Sequence, residues 1–424
     1  MDDETDGSLW RNVGFRRLFT GRLATNAGDS AYLIAALWLV FDLTGSSLYT
    51  GVAGFLIRGP RVLRVLAGPV VDRRPPHQIL VWAQLLQGAL VAVLAGTALL
   101  GELSVWLLLA VLPFVSGIEQ FVSPAEKAVL PRLVDDERLV RANSLLSLAK
   151  SGTDVAFQAG SGVVLAVVGA ASLFVFDAAT FVLAAVLFAG VTVTSDTDDD
   201  TDPAETGDSL GDDGSSYGDR LRAGVGYIRG SRLVPFLLGA AAVNFGSGAM
   251  TAVLPELGAA LGSASAFGTL MAALAASTLV GSVSATVFED VPYGTVGVAA
   301  FLISGLSLAG AVAVSGLVGT AGLLFLAFVP VGVFNILFFS VIQSAADTEF
   351  VGRVSATVSS LTAATFPLGS LVGGAAAAVV GVDTLLYGYA GLLLLFGVGC
   401  LVDKGIRTLP PVTEADAETL GFGG

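Results

Sequence analysis

VGTAGLLFLAFVPVGVFNILFFSVIQSA, residues 318–345, runs for 28 residues without one acid or base. As an α-helix it would span about 42 Å at 1.5 Å per residue, more than the ~30 Å of hydrocarbon in a bilayer. A soluble helix carries one apolar stripe; this stretch is apolar on every side, which suits a helix surrounded by lipid. Eleven further stretches of the same kind lie near 18–42, 48–71, 78–100, 103–123, 141–168, 171–194, 234–257, 265–288, 293–315, 353–380 and 384–403. Turn-like connectors such as Thr44-Gly45-Ser46-Ser47 and Gly101-Glu102 separate many of them. The fold class read from the chain is all-α: a polytopic membrane protein with twelve transmembrane helices.

Composition agrees. Of the 424 residues, 54% are hydrophobic and only 13% charged, with a mean hydropathy of +0.80, against about 25% charge in a soluble domain. A single cysteine, Cys400, rules out a disulfide framework, and a single histidine, His77, leaves no histidine-based metal cluster or proton relay. No G-x-x-x-x-G-K-[ST] phosphate loop occurs, and no Ser–His arrangement or nucleotide site is visible. The chain therefore reads as a non-enzyme without metal or cofactor, driven by a gradient, by its substrate or by a partner subunit.

The net charge of −14 gathers in the solvated parts. Ten acids lie between Asp196 and Asp219 with no Lys or Arg among them. The prevalence of Asp over Glu and of Arg over Lys reads as adaptation to high salt, and the absence of a clustered basic patch excludes nucleic acid as a partner. With the N-terminus placed in the cytoplasm, 17 of the 21 bases fall on cytoplasmic segments and adjoining helix ends, and the six external connectors hold none. A bias this complete expects both termini inside, in the cell membrane.

Residues 195–219 form the one long polar low-complexity stretch, expected to be a disordered acidic cytoplasmic loop. It divides the chain into residues 1–194, with six helices, and 220–403, with a short amphipathic opening segment and six more; 404–424 is a cytoplasmic tail. Repetition between the parts is faint: Phe157-Gln158-Ala159-Gly160-Ser161 resembles Phe366-Pro367-Leu368-Gly369-Ser370.

An ionisable group in hydrocarbon costs ~2.5–3.5 kcal/mol on insertion scales, so each one within a span needs a reason. The census is Asp29, the row Arg58, Arg61 and Arg64, Glu119, Lys150 and Asp154, with Asp177 near the outer end of helix 6. The arginines, spaced i, i+3, i+6, share one side of helix 2 and suit either a basic wall on an aqueous cavity or a static ion-pair network. Asp29 and Glu119 are candidate titrating carboxylates, with permanent pairing to those arginines as the alternative. Lys150 and Asp154 read as a local i,i+4 pair. Polar groups in the second part are neutral, among them Asn244, Asn335 and Gln343.

Phe15-Arg16-Arg17-Leu18 with Gly21-Arg22-Leu23 and Gly28-Asp29, then Gly68-Pro69-Val70-Val71-Asp72-Arg73, Ala142-Asn143-Ser144, Gly352-Arg353-Val354 and Pro367-Leu368-Gly369 occur in this order. The series resembles the major facilitator superfamily and, within it, the exporter group that includes macrolide efflux proteins and the enterobactin exporter. The resemblance implies two six-helix bundles around a central cavity lined by helices 1, 4, 7 and 10. It implies a cytoplasmic gate in which Gly68, Asp72 and Arg73 face Arg353. Phe157 and Gln158 stand where proton-coupled drug exporters carry a Gly-Pro pair. The expected function is secondary transport: efflux of a drug-, macrolide- or siderophore-like small molecule by a monomer, coupled to a proton or sodium gradient. Asp29, Arg58, Arg61, Glu119, Asn244 and Asn335 are the expected pathway. An importer or uniporter for an organic anion, or a non-transporting sensor or scaffold of the same fold, are the alternatives.

Overall fold

The computed structural model of the chain describes residues 9–63, 74–191, 234–345 and 348–414. At residues 159, 343, 345, 348–357, 359, 362 and 363 it describes the backbone alone. The first six helices are α1 (Val13–Thr44), α2 (Ser47–Arg58), α3 (Pro76–Leu99), α4 (Val105–Val129), α5 (Asp136–Val168) and α6 (Ala170–Ala189). The second six are α7 (Val234–Ala260), α8 (Ala264–Ser284), α9 (Tyr293–Ala313), α10 (Leu317–Ala345), α11 (Thr348–Val380) and α12 (Val382–Val402). No strand occurs among the described residues. Ten of these helices are long and apolar enough to cross a membrane, so the chain is a multi-pass membrane protein and the twelve-span reading is consistent with it. The other two are α2, which gives way at Arg58 to a 3-10 turn over Gly59–Leu63, and α11, whose described apolar part is Ala364–Val380.

Local chemistry explains the ends. Asn12, Ser46, Ser104 and Ser263 each accept a hydrogen bond from a backbone N–H in the first turn of the helix that follows, satisfying a donor that has no partner inside that helix. Pro60 breaks α2: it lacks an N–H, and its ring crowds the carbonyl one turn back. At the far end of the molecule six connectors each turn on a glycine of positive φ, namely Gly45, Gly101, Gly169, Gly262, Gly316 and Gly381. Gly169 (φ 90°, ψ 169°) and Gly381 (φ 84°, ψ 159°) occupy a region that only glycine visits freely, which lets one residue join two long helices.

Those glycines also mark a repeat. Gly162 lies seven residues before Gly169, as Gly374 lies seven before Gly381; Gly51 follows Gly45 by six, as Gly268 follows Gly262. In space Gly162 of α5 abuts Gly268 of α8, and Gly374 of α11 abuts Gly51 of α2, so each contact is the image of the other. The two halves are thus related in structure, and they meet through paired small residues that let helix backbones approach closely.

The core is apolar, as in a soluble protein, but burial departs from the soluble pattern in two ways. Gln84, Gln87, Gln120, Thr25, Asn26 and Asp177 are buried, while Trp82, Trp106, Phe114, Val182, Val318 and Leu395 are exposed. Lipid tails are as apolar as these side chains, so nothing drives them inward, whereas polar groups gain by leaving hydrocarbon.

Candidate functional site

Between the halves lies a cavity of about 380 Å3. The first half lines it with Leu33 of α1, Arg58 of α2 and Ser151, Asp154 and Gln158 of α5; the second half with residues of α7, α8, α10 and α11, chiefly Met250, Met271, Phe328 and Phe366. Both charges named in that lining come from the first half. The second half contributes hydroxyls, thioethers and aromatic rings.

The chain accommodates a mid-membrane arginine at Arg58 in three ways. Arg58 is the last residue of α2, so the negative end of the helix dipole falls on it. Its guanidinium lies 5.5 Å from the centre of the Phe366 ring, within cation–π range. Asp154 is within electrostatic reach across the cavity. Asp154 in turn accepts a hydrogen bond from Ser30 Oγ of α1 at 2.7 Å and faces Lys150 Nζ at 3.5 Å. The local Lys150–Asp154 pair read from the sequence exists, and Asp154 does more: it ties α5 to α1 and presents a carboxylate to the cavity.

Asp29, next to Ser30 on α1, is half-buried and within reach of Arg22, Glu119, Lys150 and Asp154. Glu119 is paired with Arg22 of α1. Arg22 of α1, buried, holds two carboxylates of α4: Glu126 at 2.8 Å and Glu119 at 3.7 Å. Glu119 and Glu126 are seven residues apart and so share one face of α4, the signal by which sequence reading could have found this cluster. Gln87 Nε2 of α3 adds a hydrogen bond to Glu119 at 3.4 Å.

The remaining expected residues fall elsewhere. Arg61 sits exposed on the 3-10 turn after α2. Asn244 Nδ2 donates to the Ala240 carbonyl of its own helix at 2.9 Å, and Asn335 is half-buried in α10; neither is on the cavity wall. The wall includes helices 1, 7 and 10 but no residue of α4, which differs from the expected lining: α4 spends its inward carboxylates on Arg22. Arg64, Gly68, Asp72, Arg73 and the side chain of Arg353 lie outside the described residues, as does the 195–219 loop.

At the Thr44 end the halves close over the cavity. The two glycine crossings lie there, Trp38 of α1 stacks on Phe267 of α8 at 6.0 Å, and Ser47 Oγ donates to Glu256 of α7. From this seam the cavity extends toward Ser151 and Ser282.

Related helical halves closing at one end over an internal cavity with its own charges, surrounded by a lipid-facing exterior, define a membrane transporter of the major facilitator fold. Within that class the chain belongs to the transmembrane secretion effector family, whose model matches residues 8–420. Over 138 residues, 31% of this chain, it is 30% identical to macrolide efflux protein A of Streptococcus pyogenes, and the match covers 33% of that protein, a third of its length. Among solved structures, a bacterial homologue of the iron transporter ferroportin in its inward-facing state gives a TM-score of 0.65 at 19% identity, covering 93% of this chain and 98% of that one. An outward-facing state with soaked iron gives 0.53 at 20% identity, covering 91% and 98%. These last likenesses are of fold.

Proposed function

We propose that the protein exports an amphipathic small molecule in exchange for protons, by exposing the central cavity alternately to the two faces of the membrane. One observation carries the reading: the same cavity offers a carboxylate, Asp154, which accepts a hydrogen bond from Ser30, the neighbour of Asp29 on α1, and an apolar wall of Met250, Met271, Phe328 and Phe366. Methionines and aromatic rings accept ligands of varied shape, which suits a macrolide-like molecule. The carboxylates supply what coupling needs, a group whose charge changes when the cavity exchanges water with one side or the other. Substrate and proton then compete for the carboxylates Asp154 and Asp29, so that only a loaded or a protonated carrier changes face. With the termini cytoplasmic, the closed seam faces outward and the cavity faces the cytoplasm, where an exporter loads. Arg58 by itself would favour an organic anion. Asp154 opposite it and Phe366 over it offset that charge, which favours an amphipathic substrate instead.

Proteoliposomes carrying an imposed pH gradient and a radiolabelled macrolide test this. Accumulation that collapses on adding a protonophore, and that falls at least about tenfold in Asp29→Asn and Asp154→Asn, is the expected result. Equilibration indifferent to the protonophore would make the protein a uniporter. No movement of any tested ligand would favour a sensor or scaffold.

A further inference from the structure

The seam between α1 and α6 holds a carboxyl group that is not on the cavity wall. Asp177 is 0% exposed, and neither carboxylate oxygen has a hydrogen-bond partner among the described residues. The nearest hydroxyl, Thr180 Oγ1, is committed to the Asp177 backbone carbonyl at 2.8 Å and gives the carboxylate only a weak contact. Across the seam the Tyr32 ring packs 5.9 Å from Phe174, one turn before Asp177, and the Tyr32 hydroxyl is likewise buried without a partner. The titratable groups facing Asp177 are Tyr32 and Asp29 of α1 and Glu119 of α4. From α3, which meets α6 at Gly88 and Phe181, the buried polar groups are Gln84 and Gln87, which do not titrate. The charged groups of α5, Lys150 and Asp154, pair with each other, and Asp154 is on the cavity wall.

The repeat shows that the fold does not require a carboxyl here. Asp177 follows Gly169 by eight residues, as Tyr389 follows Gly381. Tyr389 packs on Gly246 of α7 much as Asp177 packs on Gly28 of α1, and its hydroxyl donates to the Val243 carbonyl at 3.0 Å. One half therefore fills the position with a neutral, satisfied group and the other with an unsatisfied acid. An ionised carboxylate sealed without partners costs several kcal/mol, and groups so placed take up a proton or a counter-ion. A hydrated ion has no room: a methyl group added at Gly28 would already collide with Asp177 Oδ1 and Thr180 Oγ1. A proton needs none.

We propose that Asp177 is a proton-binding site, loaded from the central cavity through Asp29. In the transfer an O–H bond breaks at the Asp29 carboxyl and one forms at the Asp177 carboxylate, so the charge moves and nothing else changes. Asp177 is then a store of the coupling proton, off the substrate's path, and Tyr32 is a positioning residue beside it. This rests on proton exchange as the driving reaction.

Infrared difference spectroscopy of the purified full chain, titrated between about pH 5 and pH 9, tests it without any substrate. The carbonyl stretch of a protonated carboxylic acid should be present at neutral pH in the wild type, absent in Asp177→Asn, and retained in Asp177→Glu. Asp29→Asn should make the band disappear at a lower pH than in the wild type, because it removes a neighbouring negative charge that favours the protonated form. A wild-type spectrum unchanged by Asp177→Asn across that range, with the variant folded, overturns the proposal. Should Asp177→Asn fail to fold, Tyr32→Phe gives the second reading: the carbonyl band should shift in frequency, and an unmoved band overturns the site. A present band with flux indifferent to a protonophore would retain this proton site and discard antiport; proton-driven flux with no band would do the reverse.

Discussion

Arg22 is the residue whose surroundings are most demanding. Its side chain is buried between α1 and α4, held by Glu126 at 2.8 Å and by Glu119 at a looser 3.7 Å. Removing one partner of a buried ion pair strands the other charge and costs about 3–5 kcal/mol, whereas a distant partner is worth much less. Glu126→Ala should therefore lose about 3 kcal/mol of stability and Glu119→Ala less than half of that, measured as thermal or denaturant unfolding in detergent. Equal losses would mean that the two carboxylates share the arginine evenly. Asp154 illustrates a different limit on residue-scale reading. Lys150 one turn away gives a sufficient local reason for it, and the partner that reveals its place on the cavity wall, Ser30, is 124 residues distant.

The elements that matter for movement are α2, α5, α8 and α11, because their glycine crossings form the seam. A Cβ at Gly162 would stand 2.5 Å from the Gly268 Cα, and one at Gly51 would stand 2.4 Å from the Ser370 carbonyl oxygen and 3.0 Å from the Gly374 Cα, so neither fits without a shift of the facing helix. A larger side chain has to push the helices apart at the Thr44 end, at about 1–3 kcal/mol, and so penalises the state in which that end is closed. Each 1.4 kcal/mol shifts the balance about tenfold. In a Cys400→Ser background, Gly162→Val should slow maleimide labelling of Ser282→Cys roughly five- to hundredfold, since Ser282 is on the wall of the cavity that the closed seam caps. Gly96→Val, at a glycine with open space around it, should leave the rate unchanged. Loss of folding rather than of labelling would show the crossing to be a fixed joint. Helix positions themselves were largely legible: apart from α2, the spans read from hydropathy match the helices to within a few residues, with α4 longer than expected, ending at Val129, and α6 shorter, ending at Ala189. The break in α2 was not read: residues 48–71 were expected as one span with its arginines on one side, and only the fold showed that the helix ends at Arg58 before Gly59-Pro60, which places that arginine at a helix C-terminus and Arg61 on a 3-10 turn.

For the whole molecule the relevant quantity is charge. A net −14 on one chain repels itself, and salt screens that repulsion as the Debye length falls from about 10 Å at 0.1 M to about 3 Å at 1 M. The Tm of the purified protein should accordingly rise by several degrees between about 0.1 M and 2 M KCl, with the gain concentrated below 1 M. A Tm that is flat or falls with salt would mean that the Arg22 cluster and the Arg58–Asp154 pair, which salt weakens, outweigh the surface repulsion.

Taken alone, the order of residues determined that this chain crosses a membrane many times, where along the chain most crossings lie, and which few ionisable groups sit at depth. Those are local properties: hydrocarbon demands about twenty apolar residues from each segment separately, and an acid among them is conspicuous wherever its neighbours fold. Only the tertiary structure decided that Glu119 serves Arg22 rather than Arg58, that Asp154 faces the cavity, that the glycines of α2, α5, α8 and α11 meet in pairs, and that Asp177 lies sealed beside Tyr32. Each depends on which faces of helices far apart in the chain come together, and in lipid every helix face is apolar enough to turn any way until packing and a few buried polar groups choose.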